Sequence, residues 1–505
     1  MLPDDLSATG NVLDFHLVHP VDGPPPVLLS STPADEDVDV AVDVNIVLVF
    51  SKDVQAGVGN IVISDGSDTR TIDVSDATQV TIAGDTVTIN PTADLLHGST
   101  YNVQMASGVI TDTRGAAFAG ILTSTELNFS TDPGAPALLT AVLDAAGCSI
   151  ELTFDKDIVS GDASLGFTRS VGVILSADYS GPVVTLHIPK TLQGAAVGTI
   201  TYNAATGDLA GTYAEVPSFG PIAVTNGSTL TGTWASIASS SVAGSGWRAI
   251  AALDSTSFAY AEGGGHTLRK YAWNGSTYAQ VGNSINTGNY TTGKVAICAL
   301  DANNVAYIDA VQRKLRTYTW NGTQFAMTGA ELSIGGSPSA FWLAALSSTS
   351  IALAEVIGDT LYKLAWSGSA WSVTATKSLT MGNVVYLSAL DASTVALADY
   401  TNEDLTTYRV SGGTWVKVGN SLSIPAGVAS DDRTVASLGC YAIAHIDAYH
   451  DSLQAYVFDN TNWATLGSAL SVSSVSAGVA ATTLDESTLL LVDSVSGSAR
   501  KFTFT

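Results

Sequence analysis

A repeat in the C-terminal half constrains this chain more than any other feature. Leu253, Leu300, Leu346, Leu390, Leu438 and Leu484 recur at intervals of 47, 46, 44, 48 and 46 residues. That is the length of a four-stranded propeller blade, a unit that cannot bury its apolar face alone and must stack on neighbours. Each of the first five leucines is followed 25 residues later by an aromatic: Tyr278, Phe325, Trp371, Trp415 and Trp463. A sixth would fall past residue 505, but Trp234 stands just ahead of the first repeat in Gly232-Thr233-Trp234. The expectation is a six-bladed β-propeller over 228–505 whose last blade takes its outer strand from the N-terminal side. Such closure removes exposed strand edges. In the first repeat, strands are predicted near 249–253, 257–261, 268–273 and 277–281, with Asn274-Gly275 as a two-residue hairpin turn that Asn321-Gly322 and Ser367-Gly368 repeat.

Upstream, a shorter duplication is legible. Asn45-Ile46-Val47-Leu48-Val49-Phe50-Ser51-Lys52-Asp53-Val54 aligns with Ser149-Ile150-Glu151-Leu152-Thr153-Phe154-Asp155-Lys156-Asp157-Ile158. Apolar residues coincide at period two, the signature of half-buried strands. Leu96-His97-Gly98 and Leu192-Gln193-Gly194 also correspond. The reading is an all-β chain: a leader over 1–26 ending in Pro24-Pro25-Pro26, a first β-sandwich over 27–133, a second over 134–227, then the propeller. With its Ser-Thr-Pro start, acidic run and IVLVFSKDV strand, the first copy resembles the bacterial Ig-like domains of S-layer and other surface proteins. The second resembles the Ig-like repeats of large surface motility and adhesion proteins. The repeats of the form Leu-Asp-x-Ser-Thr resemble propellers of phage structural proteins and bacterial surface proteins. These resemblances imply spacer and adhesion roles.

Net charge is −26, of which 1–136 carry −16. Such a chain repels nucleic acid and anionic membrane surfaces, so neither is expected as a partner. Cys148, Cys298 and Cys440 lie far apart, with no CxxC pattern and no disulfide framework expected; Cys298 and Cys440 read as small buried hydrophobes. The N-terminus lacks the basic and apolar regions of a secretory signal, and no stretch has the ~20 apolar residues that span a bilayer.

Nine residues after each repeat leucine stands an acid: Glu262, Asp309, Glu355, Asp399, Asp447 and Asp493. One reading is a turn-forming carboxylate that accepts backbone N–H bonds. The other is a ring of carboxylates on one propeller face that binds a cation or polar ligand. The second-to-third-strand loops share that face with the blade-to-blade loops, where Tyr290, Tyr400 and Asn402 are candidates for contact with a sugar. His445, Asp447 and His450, or His16 and His19 in the leader, are weak metal constellations, and Asp35-Glu36-Asp37-Val38-Asp39 lacks the punctuation of a dedicated Ca²⁺ loop. No cofactor is expected. No nucleophile elbow, HExxH or P-loop occurs, and no catalytic residue is assigned.

The functional expectation is a non-catalytic adhesion protein of a phage or phage-like particle, a tail fibre, head fibre or receptor-binding component. Its partners would be other virion proteins through the leader and Ig-like domains, and a host-surface glycan or protein through the propeller. Homo-oligomerisation is expected, since fibres assemble by cyclic symmetry. The alternative is a bacterial surface or secreted adhesin or lectin.

Overall fold

The computed structural model describes residues 24–242, 247–288, 293–335, 340–424, 433–472, 479–493 and 497–505. All regular elements among them are strands. The chain divides into two compact units, one built on the first sandwich, the other holding the second sandwich with the propeller.

In the first sandwich, alternation decides the core. Strand Ile46–Phe50 points Ile46, Leu48 and Phe50 inward and leaves Val47 and Val49 half-buried. Its sheet runs Leu28–Thr32, Ile46–Phe50, Thr86–Ile89, Val80–Ala83; the facing sheet runs Asp37–Val40, Asn128–Thr131, Thr100–Met105, Asn60–Ser64, Thr69–Asp73. Their inner faces share one core that includes Ile61, Val87, Tyr101 and Phe129. Gly84 turns the hairpin at φ 62°, a conformation that favours glycine. The run from Asp35 to Asp39 is exposed, and Asp35 accepts the Asn128 N–H at 3.0 Å, which fits a solvated domain edge.

The second sandwich follows the same plan. Strand Ser149–Phe154 buries Ile150, Leu152 and Phe154 between a five-stranded sheet and a three-stranded one that begins with Phe167–Arg169.

Among the described residues the C-terminal part forms six four-stranded units: four are separate sheets, and the third and fourth are joined into one eight-stranded sheet by the single parallel pair Thr376↔Thr414. Their inner strands are Arg248–Ala252, Val295–Ala299, Phe341–Ser347, Val385–Ala389, Arg433–Gly439 and Val479–Thr483. Each neighbours the next around a closed cycle, the last lying against the first. The sixth sheet is completed by Trp234–Ser241, which pairs antiparallel with Ser498–Phe504 from Trp234↔Phe504 to Ser241↔Ser498. The flanking strand predicted from Trp234 is therefore the outer strand of the last blade, and Trp234 packs on Phe504 with ring centroids 4.9 Å apart.

All six repeat leucines are buried, four of them just after the inner strand, as at Leu253 and Leu484, and Leu346 and Leu438 next to last within it. The aspartate after four of them caps the turn: Asp254 accepts the Thr256 N–H at 2.7 Å and Asp485 the Ser487 N–H at 2.9 Å. The outer hairpin differs from expectation. Trp273 pairs with Tyr278, so the connection is four residues, not two. Asn274 Oδ1 accepts the N–H groups of Ser276 and Thr277 at 3.0 and 2.9 Å, and this side-chain turn replaces the tight backbone turn.

In four of the repeats a glycine four residues after the aromatic sets the spacing between blades, and Ala375 stands there in the third. At Gly282 an added Cβ would meet the Thr323 carbonyl oxygen at 2.0 Å; at Gly467 it would meet that of Gly232 at 2.0 Å. The next residue then donates across the gap: Asn283 N–H to Thr323 O at 2.8 Å, Ser468 N–H to Gly232 O at 2.8 Å.

Candidate functional site

The blade-to-blade loops and the second-to-third-strand loops emerge on one side of the propeller, here the loop face. The first-to-second-strand turns lie on the opposite, turn face. All six repeat acids end their second strands at the loop face, each paired with the first residue of an inner strand, as in Arg248↔Glu262 and Arg433↔Asp447. All six are buried.

Five of the carboxylates make side-chain contacts within the protein. Asp309 Oδ1 accepts the Val311 N–H at 3.0 Å and that of Gln312 at 2.5 Å. Asp399 accepts from Thr401, Asn402 and Gly382 backbone N–H groups at 3.0, 3.0 and 2.7 Å. Asp447 receives Arg433 Nε at 3.0 Å and His450 Nδ1 at 2.7 Å. The two glutamates reach further into their loops. Glu355 takes Arg313 from the preceding blade and Tyr362 Oη at 2.9 Å, while Glu262 lies 3.4 Å from Arg269 Nη2. At Asp493, Arg248 Nη1 donates to the backbone carbonyl at 2.6 Å and so ties blade one to blade six.

Environment separates the members of this ring. Burial pushes the Asp309 carboxyl above its ordinary value, against the N–H donors of Gln312 and Val311 and the charge of Arg316. Burial also opposes the Asp447 carboxylate, yet His450 and Arg433 together hold its pKa below the ordinary value.

The aromatic candidates fall out differently. Tyr290 lies outside the described residues, as do His16 and His19. Tyr400 is buried, not displayed: Arg433 sits 5.0 Å over its ring, which packs on Tyr386 and His445. An apolar ring covered on both sides excludes solvent and ligand alike. Asn402 is exposed, with its side-chain amide donating to Asp399 Oδ2 at 2.8 Å. The His445, Asp447, His450 set does not converge. His445 is buried between the Tyr400 and Tyr456 rings, and burial lowers its pKa to about 4.

What the sequence reading missed is an aromatic band at the mouth of the axial channel. Trp247 lies 6.0 Å from Trp342, and Trp342 lies 4.2 Å from Tyr386, ring centre to ring centre. Lys294 Nζ sits 4.2 Å over Trp247. Both tryptophans keep part of their surface exposed. Beneath them the inner strands enclose an axial cavity of about 260 Å³ lined by Arg248, Trp342, Tyr386, Thr434 and small residues such as Ala345 and Ser437. Each inner strand is bonded to a single neighbour, so its other edge presents backbone donors and acceptors to this cavity. Aromatic planes above a polar channel suit a ligand with one apolar face and several hydroxyls. The signal in the sequence was faint: Trp247 stands just before an apolar inner-strand run and Trp342 second within one, as core residues also do.

The cysteines correct the sequence reading. Cys148 and Cys440 form a disulfide with Cα atoms 5.5 Å apart, across 292 residues of chain. Cys440 stands in the turn after the fifth inner strand, not within a strand. Cys298 is buried as expected, and burial pushes its thiol up to about 12.

Residues 22–131 match the family model of a bacterial Ig-like domain. No curated protein matches the chain. Among solved structures, a protein of unknown function from Bacteroides thetaiotaomicron aligns at 11% identity and TM-score 0.40, over 73% of this chain and 98% of its own. The β-propeller domain of Myceliophteria thermophila Cps50 (Swd1) aligns at 9% and 0.36, over 54% and 100%. SapL1 lectin, solved with α-methyl fucoside, aligns at 17% and 0.38, over 50% and 89%. The propeller itself is established by its sheets. A bacterial Ig-like domain in one chain with a propeller fits a surface or adhesion protein.

Proposed function

We propose that this chain is a non-catalytic structural adhesion protein, borne on a phage or phage-like particle as a fibre or receptor-binding component. In this reading the propeller is the recognition head, and the leader with the Ig-like domains joins it to other virion proteins. One observation carries it. The second sandwich is fastened to the turn face, through Cys440 and Glu486, so the loop face with Trp247 and Trp342 points away from the attachment. The buried acids support binding rather than hydrolysis, because backbone N–H groups and arginines already engage them.

The ligand is a host-surface glycan whose sugar stacks on Trp342. A glycan array read with the native protein and with Trp342→Ala tests this. Binding should fall by tenfold or more, about 1.4 kcal/mol or above, in the variant; equal binding, or none by the native protein, removes the glycan reading. Mass spectrometry and immunolabelling of purified particles test the setting. A fixed copy number at a tail tip or capsid surface supports the virion; label confined to cell envelopes or medium sinks it. The disulfide favours a second setting, a bacterial surface or secreted adhesin, because such bonds form and persist in oxidising surroundings outside the cytosol.

A further inference from the structure

We propose that the Cys148–Cys440 bridge is a mechanical clamp that keeps tension off the strand closing the propeller. For its purpose, though not its mechanics, it rests on the adhesion reading above.

The closing strand is the weak point of the ring. Trp234–Ser241 is the outermost strand of the sixth sheet and is bonded to a single neighbour, Ser498–Phe504. It is also the first propeller strand reached from the N-terminal side, through the short connection 227–233. Tension arriving by that connection falls on the Trp234 end and loads the ladder one pair at a time, beginning at Trp234↔Phe504. Once it peels, the edge of Ser498–Phe504 is exposed and the ring is open.

The bridge reroutes this load. Cys148 lies in the turn before strand Ser149–Phe154 of the second sandwich; Cys440 lies in the turn between Arg433–Gly439 and Ala442–Asp447 of blade five. The closing strand lies within the 292-residue covalent loop, so tension that crosses the bridge enters the ring at Cys440 and bypasses that strand. It enters instead at a turn whose second strand is paired on both sides.

The surroundings hold the clamp in place. Lys190 N–H donates to the Cys440 carbonyl at 3.0 Å, Ile188 N–H to the Cys148 carbonyl at 2.8 Å, and Thr191 N–H to Gly147 O at 2.7 Å. The buried Lys190 side chain reaches on to blade six and donates from Nζ to Glu486 O at 2.9 Å. One sandwich loop thus holds a turn of blade six, which contains the seam, and a turn of blade five beside it. Cys148 also lies 3.7 Å from Glu486 Oε2 at this junction.

The test is single-molecule force spectroscopy on the full chain, tethered by its N-terminus and by a ligation tag inserted in the exposed 367–370 hairpin of blade three. Force ramps in oxidising buffer are compared with ramps after a phosphine reductant is added to the folded protein. Reduction should lower the yield force of the seam by at least about half and add extension that begins with the closing strand. The Cys148→Ser/Cys440→Ser variant should behave as the reduced protein. If that variant does not fold, reduction of the folded native chain still decides the matter. Equal yield force before and after reduction overturns the clamp. A failed host-binding assay would sink the adhesion reading and leave this result standing.

Discussion

In the first sandwich copy Leu96 is 51% exposed, whereas its counterpart Leu192 in the second packs against the core shared by blades five and six. The neighbours diverge in step. His97 Nδ1 bonds to Asp132 within its own copy at 2.7 Å, while the Gln193 N–H donates to Leu230 O at 2.7 Å, on the run leading into the propeller. Two residues before each leucine stand exposed Asp94 and buried Lys190. Burial pulls the Lys190 ammonium below the ordinary lysine value, against the attraction of Glu486, Asp144 and Asp485. Yet Ile46, Leu48 and Phe50 and their equivalents Ile150, Leu152 and Phe154 are buried in both copies. The sandwich thus requires only its inward strand positions. A loop is free to turn apolar or basic where a second surface lies against it.

The largest expected effect tests whether that difference makes the second copy part of the propeller's cooperative unit. Phe50→Ala and Phe154→Ala should each cost about 3–5 kcal/mol by emptying a packed site. Calorimetry should show the first substitution lowering only the transition of the first sandwich, and the second lowering the transition that melts the propeller. Separate melting of the second sandwich would break the comparison.

Acid should act next, and on the propeller. The fold holds His445 neutral, with a pKa of about 4 against an ordinary 6.5. Its contribution is fully present above about pH 6.5 and drains as pH falls toward 4, a loss of about 3 kcal/mol. Asp447, held low, adds a loss below its ordinary range, while protonation of Asp309, held high, works in the opposite sense. Denaturant melts across this window should show the decline, and His445→Phe should remove most of it. A pH-independent midpoint in the native protein would contradict the burial of His445.

The smallest effect sharpens the loop contrast. Leu192→Ala should cost about 1–2 kcal/mol because half-buried apolar area is lost, whereas Leu96→Ala should stay within about 0.5 kcal/mol. Equal losses would mean that the docking loop adds nothing to the second copy.

Much of the fold was open to reading because its signals are local. The strand Ile46–Phe50 shows its inward face by alternation, and the leucine, acid and aromatic of each blade recur at fixed intervals because each blade solves the same packing problem. Trp234 was legible as the missing outer strand for the same reason. The site was less so. That Tyr400 is covered by Arg433 depends on two blades meeting, and nothing in the spacing of either residue states it. Asp309 and Glu355 occupy one repeat position, yet one caps its own loop and the other pairs with Arg313 of the preceding blade.

The sequence by itself determined the strand alternation, the repeat and the closing strand, since these follow from backbone geometry and from the burial of one face per strand. Only the tertiary structure decided that Cys148 meets Cys440, that the arginines answer the acids, and that Trp247 stacks beside Trp342 above the channel. Those pairings join residues tens to hundreds of positions apart, and chain separation carries no information about distance once several sheets have closed into a ring.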